Sequence, residues 1–351
     1  MRSGLLFSLP MRVGLILFLF CAVARILPAQ AVAENADNWQ RALAEKVARL
    51  EKENAAAFVG ADHWLFLTNE LRFLAQPKFW GAEAASVSRA HKAGAADPLP
   101  AILDFQRQLR EHGIELLLVP VPAKAELYPE KVGVDVVVSP ADAAPALKKF
   151  YDVLRERGIN VLDLEPLFAR NRESSRGSVY CRTDSHWSGV GCALAGEAIA
   201  HEIRAKIPSL PTGKEYPRSW KEVSITGDLA TMVGNAENQA PERIALRQLA
   251  ATVAPDPASP VLLLGDSHTL VFHNFLAERG GLLDQLTAEL GFAPDLIGTR
   301  GSGATPVRIN LYRRGQSDPQ FFARKKIVVW CFAAREFTEA DEGWVVQPIA
   351  K

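Results

Sequence analysis

Hydrophobic and polar positions follow two different periods along this chain. Apolar residues at helical spacing predict amphipathic helices, whereas short, almost wholly apolar runs predict buried strands. Helices are predicted over residues 37–56, 98–113, 145–158, 188–207 and 269–281, and strands over residues 114–122, 159–164, 261–265 and 325–332. From residue 98 onward the two kinds of segment alternate. This alternation predicts an α/β fold with a doubly wound, mostly parallel sheet and helices on both faces.

The segment before residue 98 has a different pattern of apolar and polar residues. Residues 58–74 alternate apolar and polar positions around Trp64 and Phe66, and residues 83–98 are small and polar, as in a loop. Loops rich in Pro and Gly interrupt the later pattern without separating domains. We therefore predict one α/β domain over residues 98–351, with residues 34–97 forming an N-terminal helical extension packed on it.

The N-terminus predicts export. Arg2 and Arg12 precede the apolar run "VGLILFLFCAVA", and Ala29-Gln30-Ala31 follows it. A positive flank, a short apolar stretch and a small-x-small site together describe a secretory signal peptide over residues 1–31. The run is short for a bilayer core of about 30 Å. An uncleaved membrane anchor is the alternative.

Composition narrows the classes of partner. The chain has 351 residues, is 48% hydrophobic and carries a formal net charge of zero, without a basic stripe. A nucleic-acid partner is therefore not expected. Cys181, Cys192 and Cys331 remain once the leader is removed. They are interpreted either as three buried apolar side chains or as including a Cys181–Cys192 disulfide in an oxidising compartment.

The tripeptide Asp-Ser-His occurs twice and is the clearest candidate for chemistry. It occupies residues 184–186 in "VYCRTDSHWSGVG" and residues 266–268 in "VLLLGDSHTLVFH", in a chain with seven histidines. Three explanations compete: one nucleophilic site assembled from both copies, one metal site, or coincidence.

The second copy lies where a nucleophile is expected. Ser267 follows an apolar strand and Gly265 and precedes a predicted helix, which places it at the carboxyl edge of the sheet. The helix N-terminus would offer N–H groups and a positive dipole end to an oxyanion formed on Ser267. The structural alternative is that Ser267 or Asp266 caps that helix. Residue 269 is Thr, so this is not the Gly-x-Ser-x-Gly elbow of the α/β-hydrolases.

The first copy supplies the base that a serine requires. His186 can take the hydroxyl proton, and Asp184 can hold the imidazole ring and stabilise its charged form. Trp187 would shield this pair from water. The alternative is a polar turn in which Asp184 or Ser185 caps the next helix.

A metal site would combine Asp184, His186, Asp266 and His268 as oxygen and nitrogen ligands. No His-x-x-x-His motif, zincin glutamate or cysteine set accompanies these residues. We therefore expect neither a metal nor another cofactor.

Around these residues the chain resembles the SGNH-hydrolase-like alginate O-acetyltransferases of the AlgJ/AlgX type. The similar segments, in order along the chain, are "GADHWLFLTNELRF", "LLLVPVPAKAELYPEKV", "YCRTDSHWSGVG", "LLLGDSHT", "RGSGAT" and "VVWCFAAREF". In this permuted family the base precedes the nucleophile, as it does here. We expect the shorter branch, which lacks a C-terminal carbohydrate-binding module.

The resemblance implies a periplasmic enzyme with an SGNH-hydrolase-like fold, tethered to the inner membrane if the leader is not cleaved. The implied reaction moves acetyl groups onto an exported exopolysaccharide, alginate-like or cellulose-like, through an acetyl-serine. Ser267 would be the nucleophile, His186 the base and Asp184 its partner. The implied partners are a membrane-bound O-acyltransferase that supplies acetyl groups and a polysaccharide secretion complex.

Further residues are candidates for oxyanion stabilisation or substrate contact: Gly303, Gly301, Lys124, Tyr128 and Arg182. Each has a structural alternative: a turn for the glycines, a solvated lysine, a core-edge tyrosine, or an ordinary salt bridge for the arginine. Two other functions remain open at this point. One is a polysaccharide acetyl esterase on the same three residues, and the other is a non-catalytic polysaccharide-binding subunit.

Overall fold

The computed structural model describes residues 29–136, 138–211, 213–234 and 240–350, together with residue 1. The charged flank and apolar run of the predicted leader therefore lie outside the described residues. Within the described part of the chain, we find no helix with the length and apolar character needed to cross a membrane.

Nine strands are present in the described residues, and from residue 98 onward helices separate most of them, as the alternation predicted. The strands are β1 (Ala57–Val59), β2 (Leu65–Leu67), β3 (Glu115–Val121), β4 (Asn160–Val161), β5 (Arg218–Ile225), β6 (Glu242–Leu249), β7 (Val261–Gly265), β8 (Asp295–Gly298) and β9 (Ile327–Ala333). The helices are α1 (Ala29–Lys52), α2 (Thr68–Leu74), α3 (Ala84–Val87), α4 (Pro98–Glu111), α5 (Lys124–Leu127), α6 (Pro140–Ala143), α7 (Pro145–Glu156), α8 (Glu165–Asn171), α9 (Gly189–Lys206), α10 (Asp228–Met232), α11 (Leu282–Leu290), α12 (Thr305–Ser317), α13 (Phe321–Arg324) and α14 (Glu336–Glu339).

A five-stranded parallel sheet forms the centre of the fold, in the order β4-β3-β9-β7-β8. Strands β7 and β9 are buried at every position, and β3 at every position but its first. Because successive side chains point to opposite faces, full burial means that both faces of the sheet are covered. The predicted fold class is confirmed.

Two antiparallel hairpins lie outside this sheet. One pairs β1 with β2, and the other pairs β5 with β6 along their whole length. The β5–β6 hairpin and β8 were not identified from the sequence. In β5 five of the eight residues are polar and the strand is mostly exposed, so it lacks the apolar run that marks the buried strands.

Helix α1 shares its apolar core with the sheet. Trp39, Leu43, Val47 and Leu50 recur at helical spacing on one face, and all four are buried. The Trp39 indole Nε1–H donates to the Ala143 carbonyl oxygen over 3.2 Å, which ties α1 to the end of α6. The division of the chain at residue 97 stays a prediction.

The helix predicted over residues 269–281 is wrong. After β7 the chain makes a single 3₁₀ turn (Ser267–Thr269), and the next helix, α11, begins at Leu282. Phe272, Leu276 and Arg279 have positive φ values of 61°, 63° and 62°, which a right-handed helix does not allow. Val271 and Phe272 are both fully buried, so the apolar residues here are used in irregular backbone rather than on one helix face.

The three described cysteines are unpaired and buried. Burial raises the pKa of each thiol, so none of them is a ready nucleophile. The structure therefore agrees with the interpretation of the cysteines as three buried apolar side chains, and it does not contain the Cys181–Cys192 disulfide.

Candidate active site

The two Asp-Ser-His tripeptides adopt the same local hydrogen bonding. In each copy one aspartate oxygen, Oδ1, accepts from the backbone N–H of the histidine two residues later, over 3.0 Å for Asp184 and 2.9 Å for Asp266. The same oxygen lies 2.7 Å from Nδ1 of His186 and 3.1 Å from Nδ1 of His268, respectively. The repeat is therefore a local device that fixes a histidine ring against an aspartate.

The two histidines differ in what their other nitrogen meets. His186 Nε2 lies 2.7 Å from Ser267 Oγ, so the base of the first copy reaches the serine of the second. His268 Nε2 is buried and finds no hydrogen-bond partner among the described residues. The chain thus holds one continuous sequence of contacts from Ser267 through His186 to Asp184, with the geometry expected of a nucleophile and its base.

Only the serine of these three residues reaches solvent. Asp184 is 1% exposed and His186 is 5% exposed, whereas Ser267 is partly exposed. Ser267 follows directly on the carboxyl end of β7, at the sheet edge where reactive groups collect in this class of fold. Trp187 is fully buried, and its ring lies edge-on to that of His268, with the ring centres 5.1 Å apart.

The capping alternatives are resolved by the observed helix ends. Ser188, not Asp184 or Ser185, caps α9 by accepting from the backbone N–H of Val190 over 3.1 Å. Asp266 caps the short 3₁₀ turn, and its second oxygen accepts from the Ala333 N–H of β9 over 2.7 Å. Ser267 is left free of any capping role.

The electrostatics suit a serine activated by a histidine. Burial alone would raise the pKa of Asp184, but its hydrogen bond to His186, the histidine charge and two backbone N–H groups lower that pKa to about 2. Burial alone would lower the pKa of His186, but the hydrogen bond and charge of Asp184 outweigh it, and the pKa of His186 is raised. An ionised Asp184 therefore increases the basicity of the ring that contacts Ser267.

The helix terminus predicted directly after Ser267 is absent, because α11 begins only at Leu282. Among the described residues, no protein acceptor is found for the N–H of Ser267 or of Gly303. Gly303 packs directly on the segment before Ser267, because an added Cβ would come 3.1 Å from Asp266 Cβ and 2.5 Å from Phe332 Cβ. Gly301 has a φ of 106° and open space around it, so it makes the turn that delivers Gly303.

Lys124 and Tyr128 do not face substrate, which corrects their assignment as substrate-contact candidates. Both are fully buried. The Lys124 Nζ donates to the carbonyl oxygens of Arg182 and Asp184 over 3.0 and 2.9 Å, and burial lowers its pKa. The Tyr128 hydroxyl donates to the Arg172 carbonyl oxygen over 3.0 Å. Lys124 therefore supports the backbone of the loop that carries Asp184 and His186.

Arg182 is exposed, as a substrate-contact residue must be. Its side chain is 54% exposed, and its Nε lies 3.9 Å from a carboxylate oxygen of Glu242. The same glutamate accepts from the backbone N–H groups of Arg182 and Thr183, each over 2.8 Å. Glu242, at the start of β6, thus holds the loop that leads into the first tripeptide.

The acidic groups around His186 are engaged in hydrogen bonds. Within the described part of the chain, the potential ligand atoms that come within 4.8 Å of one another belong to Asp184, His186 and Asp228, not to the four residues considered from the sequence. Both Asp184 oxygens accept from protein donors, and both Asp228 oxygens accept from Ser185. The hydrogen bonds occupy the acceptors that a cation would need.

The comparisons with known proteins agree with this geometry. A family model described as "SGNH hydrolase-like domain, acetyltransferase AlgX" matches residues 57–290, about two thirds of the chain. The chain belongs to this family. The family membership predicted from the motifs is confirmed, and so is the enzyme class of acetyltransferase. The matched residues begin inside the segment predicted to be an extension.

Individual AlgX-family relatives are similar over different lengths. A probable alginate O-acetylase AlgJ of Pseudomonas putida is 26% identical over 318 residues, 82% of this chain and 74% of that protein. The probable alginate O-acetylase AlgJ of Pseudomonas aeruginosa is 29% identical over 177 residues, 50% of this chain and 40% of that protein.

Solved structures share the fold. The O-acetyltransferase domain of Pseudomonas putida AlgJ matches with a TM-score of 0.60 and 24% identity, covering 81% of this chain and 92% of that chain. Pseudomonas aeruginosa AlgX matches with a TM-score of 0.55 and 20% identity, covering 79% of this chain and 61% of that chain.

Several residues that support the site in this AlgX-family chain were not identified from the sequence. The backbone N–H of Asp228 donates to Asp184 Oδ2 over 2.9 Å, and the Asp228 carboxylate holds Ser185. Gly227 must lack a side chain, because a Cβ there would come 2.0 Å from the Thr183 carbonyl oxygen. The local sequence around these residues shows only a Gly-Asp pair, Gly227-Asp228, shortly after the polar strand β5. Nothing in its position indicated a contact with Asp184.

Proposed function

We propose that this protein is an O-acetyltransferase that moves acetyl groups onto hydroxyls of an exported polysaccharide through an acetyl-Ser267 intermediate. One observation carries the proposal: the unbroken contact sequence from a partly exposed Ser267 Oγ, through His186 Nε2, to a buried and ionised Asp184. A serine hydroxyl becomes a useful nucleophile only when a positioned base takes its proton, and this arrangement supplies that base.

The first half-reaction acetylates the enzyme. As Ser267 Oγ attacks the acetyl carbonyl carbon, its proton passes to His186 Nε2. The tetrahedral oxyanion accepts hydrogen bonds from the N–H groups of Ser267 and Gly303, which we assign as the oxyanion donors. When the intermediate collapses, the imidazolium gives the proton to the leaving group, and an acetyl ester on Ser267 remains.

The second half-reaction uses the same groups in reverse order. A sugar hydroxyl enters where the leaving group departed and gives its proton to His186 while its oxygen attacks the acetyl-Ser267 carbonyl carbon. Collapse of this second oxyanion releases the acetylated sugar, and the proton returns to Ser267 Oγ. Asp184 stays ionised throughout and stabilises the imidazolium in both halves.

The acceptor and the cellular setting follow from the relatives. Two similar proteins are named alginate O-acetylases, which supports alginate or a related exopolysaccharide as acceptor. The predicted leader supports a periplasmic location, with an uncleaved leader as tether to the inner membrane. A membrane-bound O-acyltransferase that supplies acetyl groups and a secretion complex that supplies the polymer are the partners we propose.

Product analysis tests this function. With p-nitrophenyl acetate as donor and an oligomannuronate as acceptor, we expect mass spectrometry to find acetyl groups on the sugar. We expect Ser267→Ala to lower this transfer by about 10⁴-fold or more, because the variant lacks the oxygen that His186 contacts and that would carry the acetyl group.

Two results would contradict the proposal. Free acetate as the only product would favour an acetyl esterase on the same residues. Undiminished transfer by a correctly folded Ser267→Ala protein would remove the serine from the mechanism and favour a binding subunit contaminated by another enzyme.

A further inference from the structure

The loop after β8 places an arginine beside the proposed nucleophile. Strands β7 and β8 are parallel neighbours in which Gly265 pairs with Gly298, so Ser267 and Arg300 each lie two residues beyond paired strand ends. The Thr299 N–H donates to the Gly265 carbonyl oxygen over 3.0 Å and holds the two segments together where they leave the sheet. Arg300 therefore emerges at the same edge as Ser267.

Phe275 links this arginine to the base. The Arg300 guanidinium carbon lies 4.5 Å from the centre of the Phe275 ring, in a cation–π contact. The centre of the same ring lies 5.7 Å from that of His186, with the two planes at 72°. Stacking on a ring face fixes a guanidinium in position and leaves its N–H edges available for a ligand.

Among the described residues, the charge of Arg300 has no counter-ion. Its side chain is exposed, and it forms no ion pair with a carboxylate among the described residues. Other arginines near the site do have partners: Arg182 lies 3.9 Å from Glu242, and Arg335 lies 3.4 Å from Glu70. A free guanidinium presents a planar fork of donors that matches a carboxylate with two parallel hydrogen bonds.

We propose that Arg300, supported by Phe275, binds the carboxylate of an acidic sugar in the acceptor and so sets which hydroxyl meets acetyl-Ser267. The inference rests on the proposed function, because it takes the acceptor to be a polysaccharide. The family model ends at residue 290, before Arg300. A neutral sugar lacks the carboxylate that forms a charge-assisted pair with this guanidinium, so the residue favours uronic acids.

Binding to a protein that cannot turn over tests the inference separately from the reaction. In a Ser267→Ala background, calorimetry would compare an oligomannuronate with its carboxyl-reduced counterpart of equal length. We expect Arg300→Gln to weaken binding of the oligomannuronate roughly 10-fold or more, as for loss of a hydrogen-bonded charge pair. Binding of the carboxyl-reduced sugar should not change.

Two further variants sharpen the comparison. Arg300→Lys keeps the charge but loses the planar fork, so we expect part of the affinity for the oligomannuronate to remain. Arg107→Gln removes an exposed arginine of α4 that pairs with Asp104 and Glu111, and we expect it to change neither affinity.

Four outcomes decide the matter. Equal weakening of both sugars by Arg300→Gln, or no preference for the charged sugar before that change, would overturn the inference. A role in donor binding would also overturn the inference. In that case Arg300→Gln would leave sugar binding intact. In a protein that retains Ser267, it would slow acetylation of the serine only from an anionic donor such as acetyl phosphate. Selective binding through Arg300 without any acetyl transfer would support the inference and contradict the proposed transferase function.

Discussion

At the scale of single residues, Asp184 is the group on which the proposed proton transfers depend. A buried carboxylate is costly unless it is hydrogen-bonded. Here it accepts from His186 Nδ1, from the His186 backbone N–H and from the backbone N–H of Asp228. These donors keep the pKa of Asp184 at about 2, so the carboxylate is ionised at any physiological pH. The ionised group in turn raises the pKa of His186.

Replacing Asp184 by Asn should change both the rate and its dependence on pH. His186 acts as a base only when neutral, so activity rises with pH through its pKa. Without the Asp184 charge, burial lowers that pKa against only the smaller raising effects of Asp228 and Asp266, so the acid limb should move to lower pH. We expect kcat/KM for p-nitrophenyl acetate to fall by roughly 10⁴-fold, as when a triad aspartate is neutralised.

The pH profile of Asp184→Asn, measured by release of p-nitrophenol, checks this expectation. Asp152→Asn, which changes an exposed aspartate of α7, is the control and should reproduce the original profile. If the acid limb of the Asp184 variant stays in place, the Asp184 carboxylate does not control the pKa of His186.

At the scale of elements, the turn between β8 and α12 is fixed from two sides. The Ser302 hydroxyl donates to Glu336 of α14 and accepts from the Ala304 N–H over 3.2 Å. The Trp330 Nε1–H of β9 donates to the Gly303 carbonyl oxygen over 2.8 Å. Burial raises the pKa of Glu336 to about 7, against the lowering effects of Arg335 and Ser302. The N–H of Gly303 is thus held in one position beside Ser267.

A methyl group at Gly303 should disturb this position. Gly303→Ala would bring Cβ within 2.5 Å of Phe332 Cβ, so the turn must shift and carry the N–H away from the oxyanion. We expect kcat to fall by about 10²-fold, the usual effect of losing one oxyanion donor, with little change in KM. Gly94→Ala, at an exposed position with open space around it, is the matched control. Full activity in both variants would remove Gly303 from the mechanism.

At the scale of the whole molecule, a feature could be predicted from the sequence when residues close together in the chain determine it. The apolar runs of β3, β7 and β9 are local, and they predicted the buried sheet. The Asp-x-His arrangement is also local, and it predicted the contact between Asp184 and His186. Asp228 and Glu242 contact the catalytic loop from 44 and about 60 residues away, so no spacing marked them.

The same reasoning explains the errors. The apolar residues of 269–281 matched helical spacing, but tertiary burial of Val271 and Phe272 overrode that preference. Lys124 and Tyr128 follow a strand that ends at the active edge, and they were expected near substrate. Only the assembled molecule shows that both side chains point into the protein.

The central claim is that Ser267 carries the acetyl group, and trapping the acetyl-enzyme tests it most directly. The protein would be mixed with p-nitrophenyl acetate without a sugar acceptor, quenched in acid, and analysed by intact and peptide mass spectrometry. Ser185→Ala is the matched control, because Ser185 occupies the same place in the other tripeptide but bonds to Asp228. We predict one added acetyl group, located on Ser267, in the unchanged protein and in Ser185→Ala, and none in Ser267→Ala. An acetyl group on any other residue, or its persistence in Ser267→Ala, would contradict the account.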